Sequence, residues 1–226
     1  MTKPIHIRFG GAGGNYSYLL GVASILQKKF DLDDIKFSGA SAGCTAAMLC
    51  ALNIDIDNEF ENMNIPMLQE IQTFKTKAFF NFLPTLKKHL LARLNQIPQI
   101  YKTANNKLFC NLTHVPSFEN HLINKYNNNE DLVNCLMASG HIPLYNNCLF
   151  HTFRNKYYID GCLTNNEYFD DKFTHIDLTH YRWRIIDNNT LFISSCDKFS
   201  NYLFELGKKD MINNISEFTN LLKLKN

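Results

Sequence analysis

A chain of 226 residues, 45% hydrophobic and 19% charged, has the material for one substantial core and the make-up of an ordinary globular protein. Its 23 basic and 21 acidic residues leave a net charge of +2, which excludes the electrostatic footprint of a nucleic-acid binder and a strongly acidic tail. Seven cysteines with no C-x-x-C pair exclude a disulfide framework and a zinc knuckle, and read as small apolar core thiols in a reducing compartment.

The first element is "IHIRF", Ile5 to Phe9, a short β-branched run that stops at glycine and reads as a buried strand. Tyr16 to Phe30 then sets Leu19, Leu20, Ala23 and Leu26 at helical spacing, with Lys28 and Lys29 in the last turn. "IKFSG" is a second strand and "AGCTAAMLCAL" a second helix. Strand, glycine turn, helix, repeated, implies a parallel α/β sheet with its functional turns at the carboxyl ends of the strands.

The stretch from about Asn53 to Asn106 reads as helical, broken by Pro66, Pro84 and Pro98. "NEDLVNCLMASG" is a further helix with Asn129 as its expected N-cap. "CLFHTFRNKYYID" reads as a hairpin ending at Asp160, "HIDLTHYRWR" as a solvated loop, "NTLFISSC" as a buried strand and "NYLFELGKKDMINNISEFTNLLKL" as a closing helical segment. No repeat and no Gly/Pro/Ser linker divides the chain, so a single domain over 1–226 is expected, with its motifs within about 5–170 and a last strand and helix within about 190–226.

Spacing decides what the glycines of "FGGAGGNYSYLLGVASIL" approach. A P-loop requires Lys after G-x-x-x-x-G, and none follows; a dinucleotide fingerprint requires G-x-G-x-x-G, but the sixth position from Gly11 is Tyr16. The second turn, "GASAG", is a G-x-S-x-G pentapeptide between a strand and a helix, where a sharp turn bares the hydroxyl of Ser41 and Gly39 and Gly43 avoid collision with the neighbouring elements. The amides of Gly11, Ala12 and Gly13, unshielded by large side chains, then form a natural oxyanion hole for a serine nucleophile. None of the eight histidines sits in a loop signature that would supply the base; Asp160, in the turn "DGC" before Gly161, is a carboxylate able to act directly on Ser41.

Together these pieces resemble the patatin-like phospholipase family: "GGAGG" is similar to its oxyanion loop, "GASAG" to its nucleophile elbow and "DGC" to its Asp-Gly motif. "EDLVNCLMASGHIPLY" is similar to its helix and small-residue turn, and "FELGKKDM" to the adiponutrin and adipose triglyceride lipase branch, so the likeness runs from about Ile5 to Met211. It implies a three-layer α/β fold, a mostly parallel central sheet with helices on both faces. It further implies a Ser41–Asp160 dyad cleaving fatty-acyl esters of a phospholipid or acylglycerol, with no cofactor and no metal in the site. A catalytically impaired lipid-binding relative and a lysolipid or acylglycerol acyltransferase are the alternatives. Asn15 and Tyr16 depart from the basic residue and glycine common in the loop, and Cys162 stands where Gly or Ala is usual.

Two further features are weighed on chemistry alone. His175, Asp177 and His180 have neither strand nor helix spacing for a shared ion and read as ordinary loop residues, while His141 and His151 read as core-edge or turn residues. In residues 74–94, Phe79, Phe82, Leu83, Leu86, Leu90 and Leu94 line one face among Lys75, Lys77, Lys87, Lys88 and Arg93, with the regular helix beginning at Pro84. That face is a candidate peripheral membrane or lipid-droplet contact. No run approaches the ~18 apolar residues of a span and no signal-peptide core is present, so a cytoplasmic location is expected.

Overall fold

The computed structural model describes residues 3–144, 148–164, 172–186 and 197–225. Strands β1 (Ile5–Phe9), β2 (Lys36–Ala40), β3 (Leu108–Val115), β4 (Asn120–Ile123), β5 (His151–Phe153), β6 (Lys156–Ile159) and β7 (Thr174–Leu178) form one sheet in the order β5-β6-β3-β2-β1-β7, with β4 also paired to β3. The four neighbours β3, β2, β1 and β7 run parallel; β4, β5 and β6 join antiparallel. Helices flank this sheet: α1 (Tyr16–Lys29), α2 (Gly43–Ala51), α3 (Ile56–Glu59), α4 (Ile65–Thr73), α5 (Ala78–Leu94), α6 (Tyr101–Ala104), α7 (Asn129–Ser139) and α8 (Asp197–Asn213). The fold is the expected α/β type with parallel central strands.

Helix α2 packs on β1, β2 and β3, and α7 on β3, β5 and β6, so the elements that carry the motif turns are gripped on several strands. Residues Tyr16 to Gln27 of α1 are all buried, so the helix is covered on every side rather than on one stripe. It lies against α8, and the two backbones meet where Gly21 and Gly207 leave room. The Tyr18 hydroxyl donates to Asp210 across this contact, and the Ser17 and Ser200 hydroxyls pair at 2.6 Å.

Several expectations change. "HIDLTHYRWR" is not a solvated loop: Thr174–Leu178 is β7, parallel to β1, with Ile176 and Leu178 buried. His175 and Asp177 occupy the other face, where His175 meets the His6 ring at 5.2 Å and Asp177 takes the Arg8 guanidinium at 2.6 Å. The alternation of period two was present in the sequence, but its polar members are bulky enough to mask it. Strands β3 and β4 fall in segments given no strand at all. Helix α7 is capped by Asn128, not Asn129: the Asn128 side chain accepts from the Asp131 amide at 2.8 Å, while Asn129 turns inward to donate to the Leu94 carbonyl.

Helix α5 does not begin at Pro84; it runs through it from Ala78. An interior proline costs about 3 kcal/mol, which burial of Leu83, Leu90 and Leu94 at roughly 1.5–3 kcal/mol each outweighs. The apolar face of residues 74–94 is thereby largely spent on the core, with Phe80 left 46% exposed; the side chain of Phe79 lies outside the described residues. Cys44, Cys50, Cys110 and Cys135 are core thiols as expected, but Cys148 and Cys162 are exposed. The expected strand "NTLFISSC" and Cys196 lie outside the described residues. Among those residues no helix is long and apolar enough to cross a membrane.

Candidate active site

Three chain segments converge at the carboxyl ends of β1, β2 and β6. The first is the glycine run after β1: the Gly10 amide completes the sheet by donating to the Leu178 carbonyl, and a short 3-10 turn over Gly13–Asn15 leads into α1. Asn15 is buried in this turn, and the Tyr16 hydroxyl donates to the Asn64 side chain at 2.7 Å. The two departures thus point into the fold, and Tyr16 ties the start of α1 to Asn64.

The second segment is the turn from β2 into α2. Ser41 adopts φ 53, the left-handed region that costs a non-glycine residue of order 1–3 kcal/mol, which a sharp strand-to-helix turn imposes. Its flanking glycines permit that turn to sit against the sheet: a Cβ on Gly43 would lie 2.4 Å from the carbonyl oxygens of Phe9 and Gly10, and one on Gly39 2.6 Å from the Cys44 backbone. The Ser41 amide donates to Ser139 Oγ at 3.0 Å, and Ser139 Oγ donates in turn to the Asn111 carbonyl at 2.7 Å.

The third segment is the turn after β6. Asp160 is only 5% exposed. Its carboxylate accepts the Cys162 amide at 2.8 Å, with the Ser41 hydroxyl beside it. Burial raises its pKa above the ordinary carboxylate value, and these two donors act in the opposite direction. Its backbone is held on both sides: the amide donates to the His141 carbonyl, and the carbonyl accepts Thr113 Oγ1, each at 2.8 Å. Gly161 rests on β3 so closely that a Cβ would lie 2.0 Å from the Asn111 carbonyl oxygen, and its amide donates to the Ser139 carbonyl.

Cys162 links this turn to the glycine run. The residue is exposed, yet its sulfur turns inward to within 2.3 Å of where a Cβ of Gly11 would stand. The same imagined atom lies 3.5 Å from Ser41 Cβ. The thiol lies beside the Gly11 backbone and the Asp160 carboxylate, and burial, then the Asp160 charge, pushes its pKa well up. Ser41, Asp160, Gly161, Gly11, Gly39 and Gly43 are therefore brought together, while Ala12, buried, and Gly13, at φ 50, continue the same loop.

Three residues at this site were not singled out in the sequence, and a fourth was read as ordinary. Ser139 ties both turns, its hydroxyl to Ser41 and its carbonyl to Gly161; Asn111 donates from its side chain to the Gly39 carbonyl at 3.0 Å; Thr113 holds Asp160. His180, read from the sequence as an ordinary loop residue, is buried and donates from Nδ1 to the Gly11 carbonyl at 3.0 Å. A buried serine closing the apolar helix "VNCLMAS" was the available signal for the first; the others depend on strand register that only the fold supplies.

A sequence profile described as "Patatin-like phospholipase" matches residues 8–171. Among named relatives, patatin-like phospholipase domain-containing protein 4 of Homo sapiens is 29% identical over 169 residues, 72% of this chain and 66% of the relative. Omega-hydroxyceramide transacylase of Mus musculus is 29% identical over 171 residues, 72% of this chain and 28% of the relative. The matched region thus spans from about two thirds to little more than a quarter of these relatives. The crystal structure of VipD from Legionella pneumophila superposes with a TM-score of 0.45 at 14% identity, over 78% of this chain and 50% of that one.

Proposed function

Because the chain belongs to the patatin-like phospholipase family, we propose that it is a lipid acyl hydrolase in which Ser41 is the nucleophile and Asp160 its base. The observation that carries this reading is a serine on a left-handed strand-to-helix turn whose hydroxyl lies beside a buried carboxylate. Asp160 takes the Ser41 proton as Oγ attacks the ester carbonyl. The tetrahedral oxyanion is received by the amides of Gly11, Ala12 and Gly13. Collapse expels the alcohol, which takes back the proton from Asp160. A water deprotonated by Asp160 then releases the fatty acid and restores Ser41.

A lipid substrate fits the apolar side chains left exposed on the segments beside Asp160, namely Leu144, Leu149, Phe150 and Leu163. Contact of the Phe80 end of α5, with Lys75 and Lys77, with an anionic lipid surface belongs to the same reading. The test is release of free fatty acid from phospholipid and triacylglycerol emulsions by wild type against Ser41→Ala; equal release by the two overturns it. Transfer is the second reading, favoured by a relative named a transacylase. Adding an acceptor alcohol separates the two, a transferase forming the new ester at the expense of free acid.

Two further outcomes follow from the site. Asp160 must be ionised to act, so activity is lost as pH falls through its raised pKa. The acid limb of kcat/KM is therefore expected above the ordinary carboxylate value, and a limb at or below it would show that another group titrates. His180→Ala removes the donor that fixes the Gly11 carbonyl and is expected to lower kcat about tenfold, roughly 1.4 kcal/mol, with KM little changed. His180→Gln, which keeps a donor, is expected to recover part of that loss; equal kcat for both variants and wild type would contradict the role.

A further inference from the structure

The hairpin of β3 and β4 carries a cluster that the acyl-transfer chemistry does not use. His114, Glu119 and His121 each offer one donor atom, and the three atoms lie within 4.8 Å of one another. His121 Nε2 stands 3.9 Å from Glu119 Oε2. His114 Nδ1 reaches the same carboxylate through the Ser117 hydroxyl, at 2.7 Å to the ring nitrogen and 3.1 Å from the hydroxyl to Oε2. The two imidazoles lie nearly parallel, with centroids 4.7 Å apart and planes at 6°.

We propose that His114, Glu119 and His121 bind one borderline divalent ion of the zinc type. Two imidazoles and one carboxylate form a set that zinc accepts, with water as the fourth ligand. The outer partner of a metal-bound histidine is also in place: with Nε2 on the ion, the Nδ1–H of His121 faces the Tyr158 hydroxyl at 3.1 Å. Donors of a tetrahedral ion stand about 3.3 Å apart, so binding draws these side chains together by about an ångström and inserts the ion where the Ser117 hydroxyl now bridges. Such a shift is within reach of half-buried rings and an exposed carboxylate. Lys156 adds a like charge beside the ion, which the Glu119 carboxylate offsets.

The location gives the ion something to act on. His114 pairs with Tyr158 across β3 and β6, so the ion ties β4 and the β3–β4 turn to the strand that leads into Asp160. The test is titration of chelator-dialysed protein with Zn2+ by calorimetry, with a thermal melt alongside, for wild type, His121→Ala, Glu119→Gln and His114→Ala/His121→Ala. Wild type is expected to bind one equivalent and to melt higher with zinc. His121→Ala is expected to weaken binding at least tenfold and the double variant to abolish it, with apo melting temperatures close to wild type. Absence of stoichiometric binding in wild type, or binding unchanged in the folded double variant, would overturn the proposal.

Discussion

Asp160→Asn is expected to lower kcat/KM about 10³- to 10⁴-fold, roughly 4–5.5 kcal/mol of transition-state stabilisation, without lowering the melting temperature. Asparagine has the shape of the carboxylate and keeps an oxygen to accept the Cys162 amide, so the turn after β6 retains its form. What it lacks is the ability to take the Ser41 proton. Stability moves the other way from activity because of the sign of the shift. A carboxyl whose folded pKa is raised is favoured in its neutral form, so the ionised group at pH 7 weighs against the folded state, and a neutral replacement removes that cost. Lost activity with an unchanged or higher melting temperature identifies a group kept for chemistry. Lost activity with a large fall in melting temperature would mean that the carboxylate serves the fold.

The largest effect on stability is expected from Gly21→Ala. A methyl group there would lie 2.0 Å from the Phe204 carbonyl oxygen and 2.9 Å from the Lys208 amide, so it meets rigid helix backbone rather than a side chain that can turn away. The helices α1 and α8 must move apart, which opens the buried Ser17–Ser200 and Tyr18–Asp210 hydrogen bonds and loosens Leu203 and Phe204 from the core. The expected cost is about 3–5 kcal/mol, read as a shift of the denaturant midpoint at constant m. Alanine is otherwise the better helix residue by ~1 kcal/mol, so an unchanged or raised midpoint would show that the helices do not approach as closely as described.

Both motif turns and the Asp-Gly turn were legible because each rests on a backbone requirement that only glycine meets, and such requirements survive as short local patterns. The same holds for α2, whose residues are small or apolar and all buried, and for β1 and β2, whose short runs each stop at a glycine turn. What escaped was placed by pairing at long range. Strand β3 carries Asn111, Thr113 and His114 among its apolar residues, and its partners β2 and β6 lie far away in sequence. His180 meets Gly11 across 169 residues, a contact that depends on β7 lying beside β1. In residues 74–94 an amphipathic pattern states only that a face is covered, and for Leu83, Leu90 and Leu94 the covering is the core.

The central claim, that Ser41 is a nucleophile activated by Asp160, is tested most directly by labelling with an alkyl fluorophosphonate followed by intact-mass and peptide mapping. One adduct per chain on Ser41 is expected in wild type, none in Ser41→Ala, and slowed labelling in Asp160→Asn. Folded wild-type protein that takes up no label, or that takes it up equally when Ser41 is alanine, would contradict the account.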